Sequence, residues 1–156
     1  MYRNTASYGG DPDRIYLAGH SSGAILAAYV SMKTDWTVRM SLPADLIKGC
    51  VPISANYDLR QRAIMRNYTP TVDTQLQASP LFHVEHPPPR TIVALGSMET
   101  NNFLKPSQDL TRGILRKGGI VEMLVVNGLD HDGIAISLGY EKSRLVQAIL
   151  NMIQVR

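Results

Sequence analysis

The chain has 156 residues, of which 44% are hydrophobic and 19% charged, with a net charge of +3. That length suits one domain, residues 1–156, able to bury roughly two-thirds of its unfolded surface, and the composition excludes a disordered chain. One cysteine, Cys50, excludes an intrachain disulfide and a cysteine metal cluster. No apolar run is long enough for a membrane span.

Residues 1–7 read as the last turn of a helix, ended by Gly9-Gly10 and turned by Asp11-Pro12. Ile15 to Ala18 is the first predicted strand. A helix follows over Ser22–Lys33, with Ile25, Leu26, Tyr29 and Val30 near helical spacing and Gly23, Ala24, Ala27 and Ala28 keeping it slim. Trp36 and Pro43 fall in the next loop. Leu46 to Ala55 is the second strand, with pairing expected to break at Pro52 and Cys50 read as a buried, inert thiol. Asn56 to Pro80 is the least regular part, with a short helix ending within Leu76–Pro80. Arg60, Arg62 and Arg66 read as a solvated face, since no aromatic platform accompanies them and no nucleic-acid partner is expected.

Three prolines stiffen the loop His83–Pro89, whose His83 and His86 read as surface residues. Thr91 to Leu95 is the third strand. Asn102 to Lys117 is a helix with Phe103, Leu110, Ile114 and Leu115 on one side, stopped by Gly118-Gly119. Val121 to Val126 is the fourth strand. Tyr140 to Val155 is the closing helix, buried along Leu145, Val146, Ile149, Leu150 and Ile153. Strands alternating with helices predict an α/β fold with a parallel sheet, whose sites form at the carboxyl ends of the strands.

At those ends stand three chemical groups. Gly19-His20-Ser21-Ser22-Gly23 reads Gly-x-Ser-x-Gly between a strand and a helix, a tight turn that would present the Ser21 hydroxyl. Gly19 and Gly23 are both expected to be needed for close packing there. The helix beginning at Ser22 aims free N–H groups at the same spot, so the Ser22 amide is the candidate oxyanion donor. A serine needs a base and the base an orienting acid. His131, just past the last strand, is the candidate base, and Glu99, just past the third strand, the candidate acid. Asp109 is the weaker acid candidate, inside a helix. No ligand cluster has metal spacing, so neither metal nor cofactor is expected.

Tyr8-Gly9-Gly10-Asp11-Pro12-Asp13-Arg14-Ile15-Tyr16 with Gly19-His20-Ser21-Ser22-Gly23 resembles the α/β-hydrolase carboxylesterases, in the branch of kynurenine formamidase-like and hormone-sensitive-lipase-like enzymes. The order Ser21, Glu99, His131 matches that family's nucleophile, acid and base. Tyr57-Asp58-Leu59 resembles a segment that in the family belongs to the cap or pocket wall. The resemblance implies a serine hydrolase acting on small carboxylic esters or formamide-like bonds. It covers only the second half of the fold: the first strands, and the His-Gly-Gly-type loop that donates oxyanion N–H groups, have no counterpart. Asp132 also departs from the pattern, standing where many relatives carry an apolar residue. The alternative is a truncated, catalytically silent remnant that serves as an interaction module or needs another chain. Without the first strands, Ile15 to Ala18 would form a sheet edge prone to self-association. No secretory leader is visible, so a cytoplasmic setting is expected.

Overall fold

The computed structural model describes residues 2–61, 67 and 69–154. Its sheet has four parallel strands, β1 (Ile15–His20), β2 (Ile47–Ile53), β3 (Arg90–Gly96) and β4 (Val121–Val126), in the order β1-β2-β3-β4. The α-helices among the described residues are α1 (Ser22–Met32), α2 (Asp35–Arg39), α3 (Val72–Ala78), α4 (Thr100–Arg116), α5 (His131–Ile136) and α6 (Arg144–Gln154).

The period-two alternation of the strands sorts their side chains onto two faces. Val51, Ile53, Ile92, Ala94, Leu124 and Val126 face Ile134 of α5 and Leu145 and Met152 of α6. Val93 faces the other way, into a core with Ala24, Ile25 and Ala28 of α1 and Leu110 and Ile114 of α4. Each large aliphatic side chain buried in these cores contributes about 1.5–3 kcal/mol. β2 and β3 are covered on both faces, which explains their nearly unbroken apolar sequences.

Pro52 breaks only one ladder. After a register shift between Ile15 and Tyr16, β2 pairs with β1 continuously from Tyr16↔Gly49 through Gly19↔Pro52, whereas its register with β3 runs from Cys50↔Thr91 to Ile53↔Ala94 with nothing paired between. The Ile53 carbonyl accepts from Ser21 N–H on the β1 side, and Ser54 N–H donates to Ala94 on the β3 side. Pro52 therefore turns its missing donor toward β3.

Other differences have local causes. The segment after α1 is not all loop: α2 forms there, with the Trp36 indole N–H on the Val30 carbonyl at 2.9 Å. α4 begins two residues earlier than predicted and carries Pro106 inside it. Leu115 is exposed, while Phe103, Leu110 and Ile114 are buried as expected. α6 starts at Arg144 rather than Tyr140, and of its expected stripe only Leu145 is fully buried, joined by Met152. His83 is more than a surface residue, since its Nε2 lies 2.6 Å from the Gln77 carbonyl and its ring meets Tyr29 edge-on. Tyr57, Asp58 and Leu59 are all buried, and Leu59 N–H donates to Ser79 Oγ. Arg60 pairs with Asp58 and lies over the Phe82 ring; Arg62 and Arg66 fall outside the described residues, as does Val155. Cys50 is buried, and burial pushes its thiol up to about 11.

β1 is one of the two edge strands of the sheet among the described residues, β4 being the other. Ala18 is exposed and Tyr16, Leu17, Gly19 and His20 are only half-buried, in contrast to β2 and β3. On the helix above it, Leu26 is 67% exposed although α1 is otherwise packed on β1 and β2.

Candidate active site

The carboxyl ends of β1, β3 and β4 carry the three expected groups, each through a different local device. β1 passes into α1 through a turn of one residue. Ser21 takes that turn at φ 56° and ψ −120°, a conformation that costs a non-glycine residue about 1–3 kcal/mol. The strain is held by Ser21 N–H on the Ile53 carbonyl at 2.9 Å and by Ala24 N–H on the Ser21 carbonyl at 3.0 Å. Gly19 is required by space, because a Cβ there would sit 2.2 Å from the Gly23 carbonyl oxygen. The same expectation for Gly23 is corrected: a Cβ on Gly23 meets nothing within 4 Å among the described residues. Ser22 is the first residue of α1, so its N–H is one of the amides that a helix start leaves free.

Glu99 ends a 3-10 turn, Ser97–Glu99, between β3 and α4, and is 6% exposed. Both of its oxygens are engaged. Gly96 N–H donates to Oε1 at 3.3 Å, and His131 Nδ1 lies 3.2 Å from Oε2. His131 is the first residue of α5 rather than part of a loop. Asp130 caps that helix by accepting from Gly133 N–H at 2.8 Å, so this carboxylate is committed to the backbone. The Asp-x-x-Gly pattern at Asp130–Gly133 was the available sign of that cap.

The Glu99 and His131 segments are tied together by backbone. Met98 N–H donates to the Leu129 carbonyl at 3.0 Å, and Gly128 N–H to Ser97 Oγ at 2.9 Å. Gly96 allows this approach, since a Cβ on it would lie 2.2 Å from the Leu129 carbonyl oxygen. Asp109, the other acid candidate, is on α4 with Lys105 and Arg112, whose hydrogen bonds and charge hold its carboxyl below the usual range.

Two ring neighbours of His131 escaped the sequence reading. His20 lies with its ring centroid 4.4 Å away, tilted by 43°, and Phe103 stacks at 5.3 Å and 25°. Burial, and secondarily the neighbouring His131, lower the pKa of His20 from its ordinary 6.5. Ser21 and His131 share no hydrogen bond in this structure; what joins their elements here is the His20–His131 ring contact. An imidazole backed by a buried carboxylate, on the same edge of the sheet as Ser21, has the parts for nucleophilic acyl transfer. Among the described residues no cluster of His, Cys, Asp or Glu could hold a metal, and no helix is long and apolar enough to cross a membrane.

Kynurenine formamidase of Danio rerio is 30% identical over 152 residues, covering 89% of this chain and 49% of the relative. A truncated carbohydrate esterase from gut microbiota superposes with a TM-score of 0.76 at 16% identity, covering 99% of this chain and 65% of that one. The chain belongs to the α/β-hydrolase fold family. Within that family, a thermophilic esterase of Thermogutta terrifontis gives a TM-score of 0.72 at 20% identity, over 98% of this chain and 61% of the esterase. This α/β-hydrolase chain thus spans about half the length of its curated relative and under two-thirds of these solved structures. No family model matches it.

Proposed function

We propose that the chain carries the catalytic groups of a serine hydrolase that cleaves a carboxylic ester or formamide-like bond through an acyl-enzyme on Ser21. The observation that carries the reading is the buried Glu99 carboxylate on His131 Nδ1 at 3.2 Å. With Nδ1–H donating to Glu99, the ring presents Nε2 as an acceptor, the tautomer a general base needs.

In this reading Ser21 Oγ attacks the substrate carbonyl carbon as His131 Nε2 takes its proton. Oxyanion charge falls near the start of α1, where the free Ser22 N–H can donate. The tetrahedral intermediate collapses as His131 returns the proton to the leaving oxygen or nitrogen, and water, deprotonated by the same imidazole, then releases the acid. Glu99 keeps the ring oriented and stabilises the imidazolium. The esterases and the formamidase among the relatives favour a small acyl substrate. Kinetics of Ser21→Ala and Ser22→Ala test the assignment: the first should lose several orders of magnitude in kcat with the fold intact, and the second should be mild. The reverse pattern would misplace the nucleophile.

The open edge at β1 favours a second reading, in which the chain is catalytically silent alone and works as an interaction module or with another chain. Failure to react with a fluorophosphonate, with the fold intact, would favour that reading over the enzyme.

A further inference from the structure

We propose that His20 is a positioning residue for His131, forming with Phe103 a clamp of ring contacts on the imidazole that keeps Nδ1 on Glu99 and fixes the direction of Nε2. The inference rests on the reading of His131 as the base and adds a residue to it. His131 is held along one edge by a single carboxylate contact of 3.2 Å, and its side chain is 38% exposed. One bond at one edge leaves a ring free to tilt about that contact. Two neighbouring rings restrict that tilt: His20 lies 4.4 Å from it at 43° and Phe103 5.3 Å from it at 25°. They come from separate elements, β1 and α4, so the clamp links the strand before Ser21 to the base itself.

What acts on His20 most directly is His131, through its ring and its backbone. Its Nε2 is buried with no hydrogen-bond partner, so polar bonding at that atom does not explain its placement. The charged or titratable groups acting on it are His131, Glu99 and Asp132, and burial is the largest influence, favouring a neutral ring. A neutral neighbour matters for the reaction, because a charged one would oppose the imidazolium that forms on His131.

The test compares His20→Phe, His20→Ala and His20→Gln in the full chain, with His131→Ala as the reference. Two readouts are followed: kcat and KM on a short-chain aryl ester, and the downfield NMR signal of the His131 Nδ1 proton. The clamp predicts a loss of ~10-fold or more in kcat for Ala and Gln with KM unchanged, and near-normal kcat for Phe, since small misplacements of a catalytic group are costly. The Nδ1 proton signal should broaden in Ala and Gln and stay sharp in Phe, a readout that needs no turnover. Wild-type behaviour of the Ala or Gln variants overturns the proposal, and so does a Phe variant as damaged as Ala. Full activity in His131→Ala would instead overturn the base assignment.

Discussion

Glu99 is almost wholly buried, and a carboxylate in that setting is tolerated when its oxygens are satisfied, as they are here by Gly96 and His131. Glu99→Gln keeps the volume but puts an amide where His131 Nδ1 needs an acceptor, so kcat is expected to fall by orders of magnitude, measurable on an aryl ester. Asp109→Asn should leave kcat unchanged and cost only about 0.5 kcal/mol of stability by urea titration, because its partners Lys105 and Arg112 are exposed. Gly96→Ala drives a Cβ into the Leu129 carbonyl, a backbone group that cannot swing aside, and should cost about 2 kcal/mol or more while loosening His131 from Glu99. Gly23→Ala meets open space and should be neutral or stabilising by up to about 1 kcal/mol. His20 sets a pH dependence. Its folded pKa lies below 6.5, so the unfolded chain binds the proton more readily, and stability is present above pH 6.5 and is lost as pH falls toward the folded value. Urea midpoints taken between about pH 7.5 and 5 should fall more for the wild type than for His20→Phe.

Sequence was most informative where an element carries its own punctuation. β4 matches its predicted limits, and β1 to β3 differ by one or two residues at an end, because apolar runs bounded by Gly, Pro and Asp leave little choice. The group order Ser21, Glu99, His131 was legible because parallel strands bring successive loops to one edge. What stayed hidden depended on contacts between elements. No pattern announces that Gly96 abuts Leu129, that the rings of His20 and Phe103 converge on His131, or that Leu115 turns outward while Ile114 turns in. Periodicity predicts a buried α6 stripe, yet Val146, Ile149, Leu150 and Ile153 are only half-covered. Periodicity assigns a face, but how fully that face is covered depends on the neighbouring elements.

At the scale of the whole molecule the governing feature is the open side of the sheet. β1 presents unpaired N–H and C=O groups beside exposed Ala18, and Leu26 stands out above it. Such an edge templates pairing with another chain. The isolated chain is expected to self-associate in light scattering, and Ala18→Lys, which places a charge on that edge, should reduce the association. A monodisperse wild-type monomer would contradict this. Loss of one oxyanion donor typically costs about 10²–10³ in rate, and the Ser22 N–H is the one donor identified for it among the described residues, so weak turnover is expected. Acylation is a more sensitive probe than turnover, because a covalent label accumulates. The most direct measurement is therefore fluorophosphonate labelling of the chain with mass-spectrometric mapping of the modified residue. The account predicts a single adduct on Ser21, strongly reduced in Glu99→Gln and abolished in His131→Ala; an adduct on Ser22, or labelling of Ser21 that persists undiminished without His131, would contradict it.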